Sequence, residues 1–132
     1  MRGVDTNIVL RIFDRTDARQ SSAVERLIAG AASSKDLLLN PIVLAELAWT
    51  LKRSYKKSRS VIADHLDLLL QSPEFVVPFG VEAADAVRRY REGSADFADY
   101  LLAAINRASG CRSTLTFDHE AADDDQFTLL KV

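Results

Sequence analysis

Leu37-Leu38-Leu39-Asn40-Pro41-Ile42-Val43-Leu44-Ala45-Glu46 reads as a strand that turns directly into a helix. The three leucines form an apolar run of strand length, although Leu alone is a weak strand signal. Asn40 is a favoured N-cap, and Pro41 suits the first helical position, where its missing N–H would find no partner anyway. The helix is expected to run from Pro41 to about Ser54, and Ser58 or Ser60 can cap another reaching Gln71. Before this stretch, Gly3-Val4 is a short apolar start, Asn7 to Phe13 can continue as a helix, and Ala18 to Ala32 repeats its apolar residues with a helical period. After it, Pro73 to Pro78 brackets the β-rich Phe75-Val76-Val77, Val81 to Arg91 reads as a helix, and Gly93 breaks it. Ser94 is expected to cap a helix that ends near Ala108 and is stopped by Gly110. Ser113–Phe117 and Phe127–Val132 read as the last strands.

Strands alternating with helices specify an α/β protein with a parallel sheet covered by helices on both faces. Two helices stand between the second and third strands where one crossover would suffice. The pair is therefore expected to project as a helical hairpin. Residues 1–132 contain no repeat, linker or low-complexity stretch and are expected to form one domain.

Composition narrows the function. The chain carries 17 Lys+Arg against 19 Asp+Glu, a net charge of −2, which argues against a protein coated in basic residues for nucleic acid. With 48% hydrophobic residues it can offset the entropy of ordering. A lone cysteine, Cys111, excludes an internal disulfide and a Cys-rich zinc site, and is expected to be a buried small hydrophobe. No apolar run reaches the roughly 18 residues of a membrane span, and the N-terminus is no signal peptide, so the expected compartment is the cytoplasm.

Ligands of open α/β sheets bind outside the carboxyl ends of the strands. Asp5 directly follows the first strand and Asp118 follows Thr114–Phe117. Glu46 lies in the early turns of the helix that starts at the same edge. Asp96 and Asp99, spaced i and i+3, open a helix whose N-terminus also reaches it. Four chain segments thus aim carboxylates at one rim. Taken singly, each has an ordinary role: an Asp after a strand often serves a turn or cap, and one in a first helical turn favours the dipole. Glu46 is different, because Val43, Leu44, Leu47 and Ala48 surround it on a helix that must be buried, where a carboxylate wants a partner. Carboxylates without His or Cys suit hard cations, Mg²⁺ or Mn²⁺ rather than zinc. Thr6, Asn7 and Thr116 add hydroxyl and amide groups beside them.

Val4-Asp5-Thr6-Asn7, Pro41-Ile42-Val43-Leu44-Ala45-Glu46, Ala95-Asp96-Phe97-Ala98-Asp99-Tyr100-Leu101-Leu102-Ala103-Ala104 and Leu115-Thr116-Phe117-Asp118 together resemble PIN domains, and more narrowly the VapC toxins of toxin–antitoxin pairs. The resemblance implies a three-layer α/β/α sandwich around a mostly parallel sheet with a projecting helical hairpin. It implies metal-binding carboxylates at Asp5, Glu46 and Asp99, a more variable fourth at Asp118, and an extra acid at Asp96. Thr6, Asn7 and Thr116 match supporting polar positions. The implied activity is Mg²⁺- or Mn²⁺-dependent endoribonuclease cleavage, commonly of tRNA or rRNA, by a homodimer neutralised through a small antitoxin.

Other features carry weaker expectations. Lys52, Arg53, Lys56, Lys57 and Arg59 follow Glu46 on the expected arm and either touch RNA phosphates or form a solvated helix end. Asp123-Asp124-Asp125 lacks the spacing of a calcium loop and reads as a solvated turn. Trp49, Phe13 and Tyr55 are expected in the core by default, or near a dimer or antitoxin surface. His65 is expected to be structural or exposed, and His119 an exposed loop residue near the rim. A catalytically silent binding module on the same fold is the competing function. A phosphoryl-accepting receiver fits poorly, because Asp5 is followed by Thr6 and the third strand ends in Pro78-Phe79 without an acid.

Overall fold

The computed structural model describes residues 1–32 and 34–132. In chain order the elements are β1 (Arg2–Gly3), α1 (Thr6–Phe13), α2 (Ala18–Ala31), β2 (Leu37–Leu38), α3 (Pro41–Arg53), α4 (Arg59–Gln71), β3 (Phe75–Val76), α5 (Gly80–Glu92), α6 (Phe97–Ala108), β4 (Thr114–Thr116), a 3₁₀ turn (Ala121–Asp123) and β5 (Phe127–Leu129). This is the expected α/β alternation, and every strand pairing is parallel. Leu37 lies opposite Arg2 on one side and Phe75 on the other, giving the order β1-β2-β3.

The ladder differs from a single central sheet in being hydrogen-bonded as two groups, with β4 and β5 paired separately. Two-residue strands leave little ladder to extend. β1 offers only Arg2 and Gly3, neither of which brings an apolar side chain to pack on a sheet face. β5 also stops earlier than Val132, although the Leu130 N–H still donates to the Thr116 carbonyl at 2.7 Å.

Caps explain most helix starts. The side chains of Asp5, Asp17, Asn40 and Ser58 accept from the N–H groups of Ile8, Gln20, Ile42 and Val61 at 3.1, 3.0, 2.8 and 3.2 Å. α5 begins after Phe79 in the left-handed region at φ 57°, without a side-chain cap. α6 corrects an expectation, since its N-cap is Asp96 and not Ser94. Gly110, at φ +100°, closes its C-terminal end as expected.

The core lies mainly among the helices. Leu44 and Leu47 of α3, Ile62 and Leu66 of α4, and Ala83 and Ala86 of α5 are fully buried, and Phe97 opens α6 inside. α3 and α4 form the expected helical hairpin, and the α4 limb is tied to α5 where Arg91 meets Asp64 at 2.8 Å and Asp67 at 2.7 Å. Asp123-Asp124-Asp125 lies in a turn with Asp123 and Asp125 exposed, as expected, but Asp124 is drawn in and the turn is tethered. Arg89 of α5 gathers Asp124 and Asp125, at 2.9 and 2.8 Å, together with Asp85 at 3.0 Å, and so binds the β5 approach to the helical layer. Cys111 is exposed rather than buried, because it follows the Gly110 turn at the end of α6. His65 stacks on Phe13 with ring centroids 4.1 Å apart. Among the described residues no helix is long and apolar enough to cross a membrane.

Asp14, just past α1, joins that helix to the end of α3. Its carboxylate accepts from the Tyr55 hydroxyl and from the Thr16 hydroxyl and N–H. These donors hold its pKa down at about 2, the Tyr55 hydroxyl foremost.

Both the core and this contact can be tested by unfolding. Leu47→Ala removes a fully buried side chain and is expected to cost about 2–5 kcal/mol in urea unfolding. Because the folded pKa of Asp14 is depressed, its contribution is present above the ordinary carboxylate range and is lost as pH falls toward about 2. Tyr55→Phe should therefore melt below the parent at neutral pH, and the gap should narrow in thermal scans between about pH 4 and 2.

Candidate active site

The rim is built by local chemistry at four chain ends. β1 runs into Asp5, whose extended backbone lets its carboxylate cap α1 while the next residue starts the helix. β2 runs into the Asn40 cap of α3, which places Glu46 in the second turn of that helix. α6 opens with Asp96 and Asp99, and β4 runs into Asp118.

Thr6 joins the first two segments: its hydroxyl donates to Glu46 Oε1 at 2.9 Å, so the residue after Asp5 holds the α3 acid. Glu46 is exposed, not enclosed by its apolar neighbours as the sequence suggested, because Val43, Leu44 and Leu47 face the opposite side of α3. The partner expected for its carboxylate is present all the same, in the Thr6 hydroxyl. Asn7 is exposed on the first turn of α1, beside Asp5.

On α6 the Asp96 N–H donates to Asp99 Oδ2 at 3.3 Å. Asp96 keeps its own carboxylate for Lys52 Nζ of α3, at 2.6 Å. Asp99 is half-buried, and its pKa is raised, chiefly by burial, with the charges of Asp96 and Asp118 adding to it. The Asp96 N–H and the Lys52 charge oppose that rise. Asp118 is exposed at the end of β4, where its N–H donates to Thr116 Oγ1 at 3.0 Å and its Oδ1 accepts from the Glu120 N–H at 2.9 Å. Asn106 Nδ2 donates to Thr114 Oγ1 at 3.0 Å, which fastens β4 to α6.

The structure thus links Thr6 with Glu46, Asp96 with Asp99 and Lys52, and sets Asp99 within the field of Asp118. It does not draw the acids into one cluster. Among the described residues, no three His, Cys, Asp or Glu side chains stand close enough to hold an ion between them. Each carboxylate takes the nearest donor: Ile8 N–H for Asp5, Thr6 for Glu46, Lys52 for Asp96. In kind the donors suit a hard divalent cation, being carboxylate and hydroxyl oxygens with no sulfur or imidazole among them.

The basic run divides. Lys52 faces Asp96, Arg53 lies over the Trp49 ring at 5.7 Å, and Lys56 and Lys57 are exposed. Arg59 is half-buried and turned inward. Its guanidinium donates to the carbonyls of Tyr90 and Ala95 at 2.7 and 2.8 Å and sits over the Tyr90 ring at 4.2 Å. The Ala95 N–H donates to the Tyr100 hydroxyl at 3.2 Å, so residue 95 is held from both sides immediately before the acid pair. Sequence reasoning missed this clamp and the Lys52–Asp96 contact. The first depends on buried carbonyls at the end of α5, which carry no side-chain signature. The second needed the crossing of α3 and α6.

A family profile for the PIN domain matches residues 4–124, and the chain belongs to the PIN-domain family. PIN domains are typically nucleases that act on RNA and generally use divalent metal ions, so the rim lies on a nuclease fold. No curated protein and no solved structure matches the chain.

The clamp leaves no room for a side chain at Gly93, since an added Cβ would collide with the Tyr100 hydroxyl. Gly93→Ala is expected to cost about 1–3 kcal/mol as an overpacking substitution. Calorimetric melting should show it, and Gly93→Ala combined with Tyr100→Phe should recover part of the loss by removing the hydroxyl.

Proposed function

We propose that the protein is a metal-dependent endoribonuclease that serves as the toxin of a toxin–antitoxin pair, in the manner of the VapC toxins. The observation that supports the reading is the set of oxygen donors that separate segments carry to the carboxyl ends of the strands: Thr6, the residue after Asp5, holds Glu46 of α3, and half-buried Asp99 lies within the field of Asp96 and Asp118. Residues 1–132 are read as one PIN unit, a homodimer that acts on tRNA or rRNA in the cytoplasm and is silenced by a small antitoxin protein.

Asp5 and Asp99 would hold Mg²⁺ or Mn²⁺ directly, with Glu46 and Asp118 completing the set or holding a second ion. When bound, the ion supplies Lewis acidity toward a phosphodiester and a lower pKa for attacking water. The chain's own groups prepare that position. Thr6 fixes the rotamer of Glu46 through its hydroxyl, Thr116 anchors the backbone of Asp118, and Lys52 balances Asp96 so that Asp99 faces fewer unscreened charges. Asn7 presents an amide to a phosphate oxygen from the start of α1. Arg53, Lys56 and Lys57 supply positive charge for the RNA backbone, whereas Lys52 is paired with Asp96 and Arg59 is spent on carbonyls.

The absence of a ready three-donor cluster among the described residues favours a second reading, a catalytically silent protein-binding module on the same fold. The two separate cleanly. Under the nuclease reading, Asp5→Asn and Asp99→Asn each lower Mn²⁺-dependent RNA cleavage by about a hundredfold or more, the loss of several kcal/mol of transition-state stabilisation. Asp99→Asn should also weaken Mn²⁺ binding in calorimetry. Equal cleavage by both variants and parent would overturn the reading. A parent that binds no Mn²⁺ or Mg²⁺ at millimolar metal would favour the silent module.

A further inference from the structure

We propose that Trp49 is a stacking platform for an unpaired base of the RNA, set one helical turn from the acidic rim. The inference rests on the nuclease reading and names the side chain of this protein that would hold the strand beside the rim.

The placement comes from the period of α3. Ile42, Glu46, Trp49 and Arg53 recur at the spacing of one helix face, and all four are exposed. Trp49 is 57% exposed although it is the largest side chain in the protein. Of the two expectations for it, core or partner surface, the core is excluded, and Leu47, Ala48 and Leu51 take that role instead. Its ring borders a shallow concavity shared with Lys52, Tyr90, Asp96 and Phe97. The ring therefore shares its concavity with Asp96, the N-cap of α6.

The surroundings select the occupant. Arg53 lies over the ring at 5.7 Å, and Lys52 borders the same concavity. An exposed aromatic ring with a guanidinium over it suits a planar base carried on an anionic backbone, because stacking accepts any base and the charge tracks a phosphate. Glu46, one turn back on that face, then fixes how far the reacting phosphate lies from the stacked base.

Trp49 is the sole tryptophan, so emission from the full chain reports this ring alone. The probe is a short single-stranded oligoribonucleotide, and its perfect duplex as control, titrated into the Asp99→Asn protein to prevent cleavage. The single strand should quench the emission and the duplex should not. Trp49→Ala, measured by fluorescence anisotropy of a labelled strand, should bind about tenfold more weakly, with Trp49→Phe recovering most of the loss. Unchanged emission together with unchanged affinity in Trp49→Ala overturns the proposal. In that case, metal-dependent cleavage by the parent leaves the nuclease reading standing. If the parent neither binds nor cuts RNA, the two fall together. A blue shift with protein concentration alone, and a loss of sedimenting mass in Trp49→Ala, would assign the face to a second copy of the chain and overturn it too.

Discussion

The guanidinium of Arg59 is the contact on which the arrangement at the rim depends. At the α5–α6 connection the chain must reverse within a few residues, and Ala95 is buried while doing so. A buried carbonyl without a donor would cost more than an ordinary hydrogen bond returns. Arg59 reaches across from the first turn of α4 to serve two such carbonyls, and its planar face covers Tyr90. Tyr100 holds the other side of the same residue. The next residue in the chain is Asp96, so the direction of the acid pair is inherited from a cation that makes no contact with it.

The charges at the rim form a set of compromises. At the start of α6 and the end of β4, Asp96 and Asp118 act against Asp99, while Asp5, Glu46 and Asp96 are each met by a local donor. Asp99 has the least of this help, since burial and two neighbouring carboxylates oppose its ionisation. Structural ion pairs elsewhere behave differently. Arg89 collects three carboxylates and loses none of its charge, and its work is to hold β5 against α5. The contrast separates acids that an arginine pairs off from an acid whose ionisation the fold opposes.

Much of this was legible in the sequence. The Asn40-Pro41 junction located α3 because both residues act locally, through a side-chain cap and a missing N–H. Gly110 ended α6 for an equally local reason, its positive φ. The positions of the acids could be inferred from topology once strands and helices alternated. Misreadings arose where the deciding partner lay far along the chain. Ser94 is a sound cap by itself, but Arg59 and Tyr100 fix residue 95 and pass the cap to Asp96. The tether of Asp124 and Asp125 was missed because Arg89 stands more than thirty residues earlier. Glu46 was placed inside from its neighbours' polarity, when one residue of an amphipathic helix can face out among apolar ones. The net charge of −2 concealed the most, since it sums an acidic rim and the cations of α3 to nearly nothing.

The spread of the acids along the chain has a consequence for synthesis. α3, α4, α5 and α6 are neighbours in sequence and pack on one another, so their contacts close short loops and can form early as the chain emerges. Asp5 is made first and Asp118 more than a hundred residues later, and β4 and β5 bring only a short separate ladder to fix the latter. A nascent chain therefore holds its helical body before its full set of carboxylates. Whatever the rim does, the ribosome that makes it is not exposed to a complete rim until the last strands have left the exit tunnel.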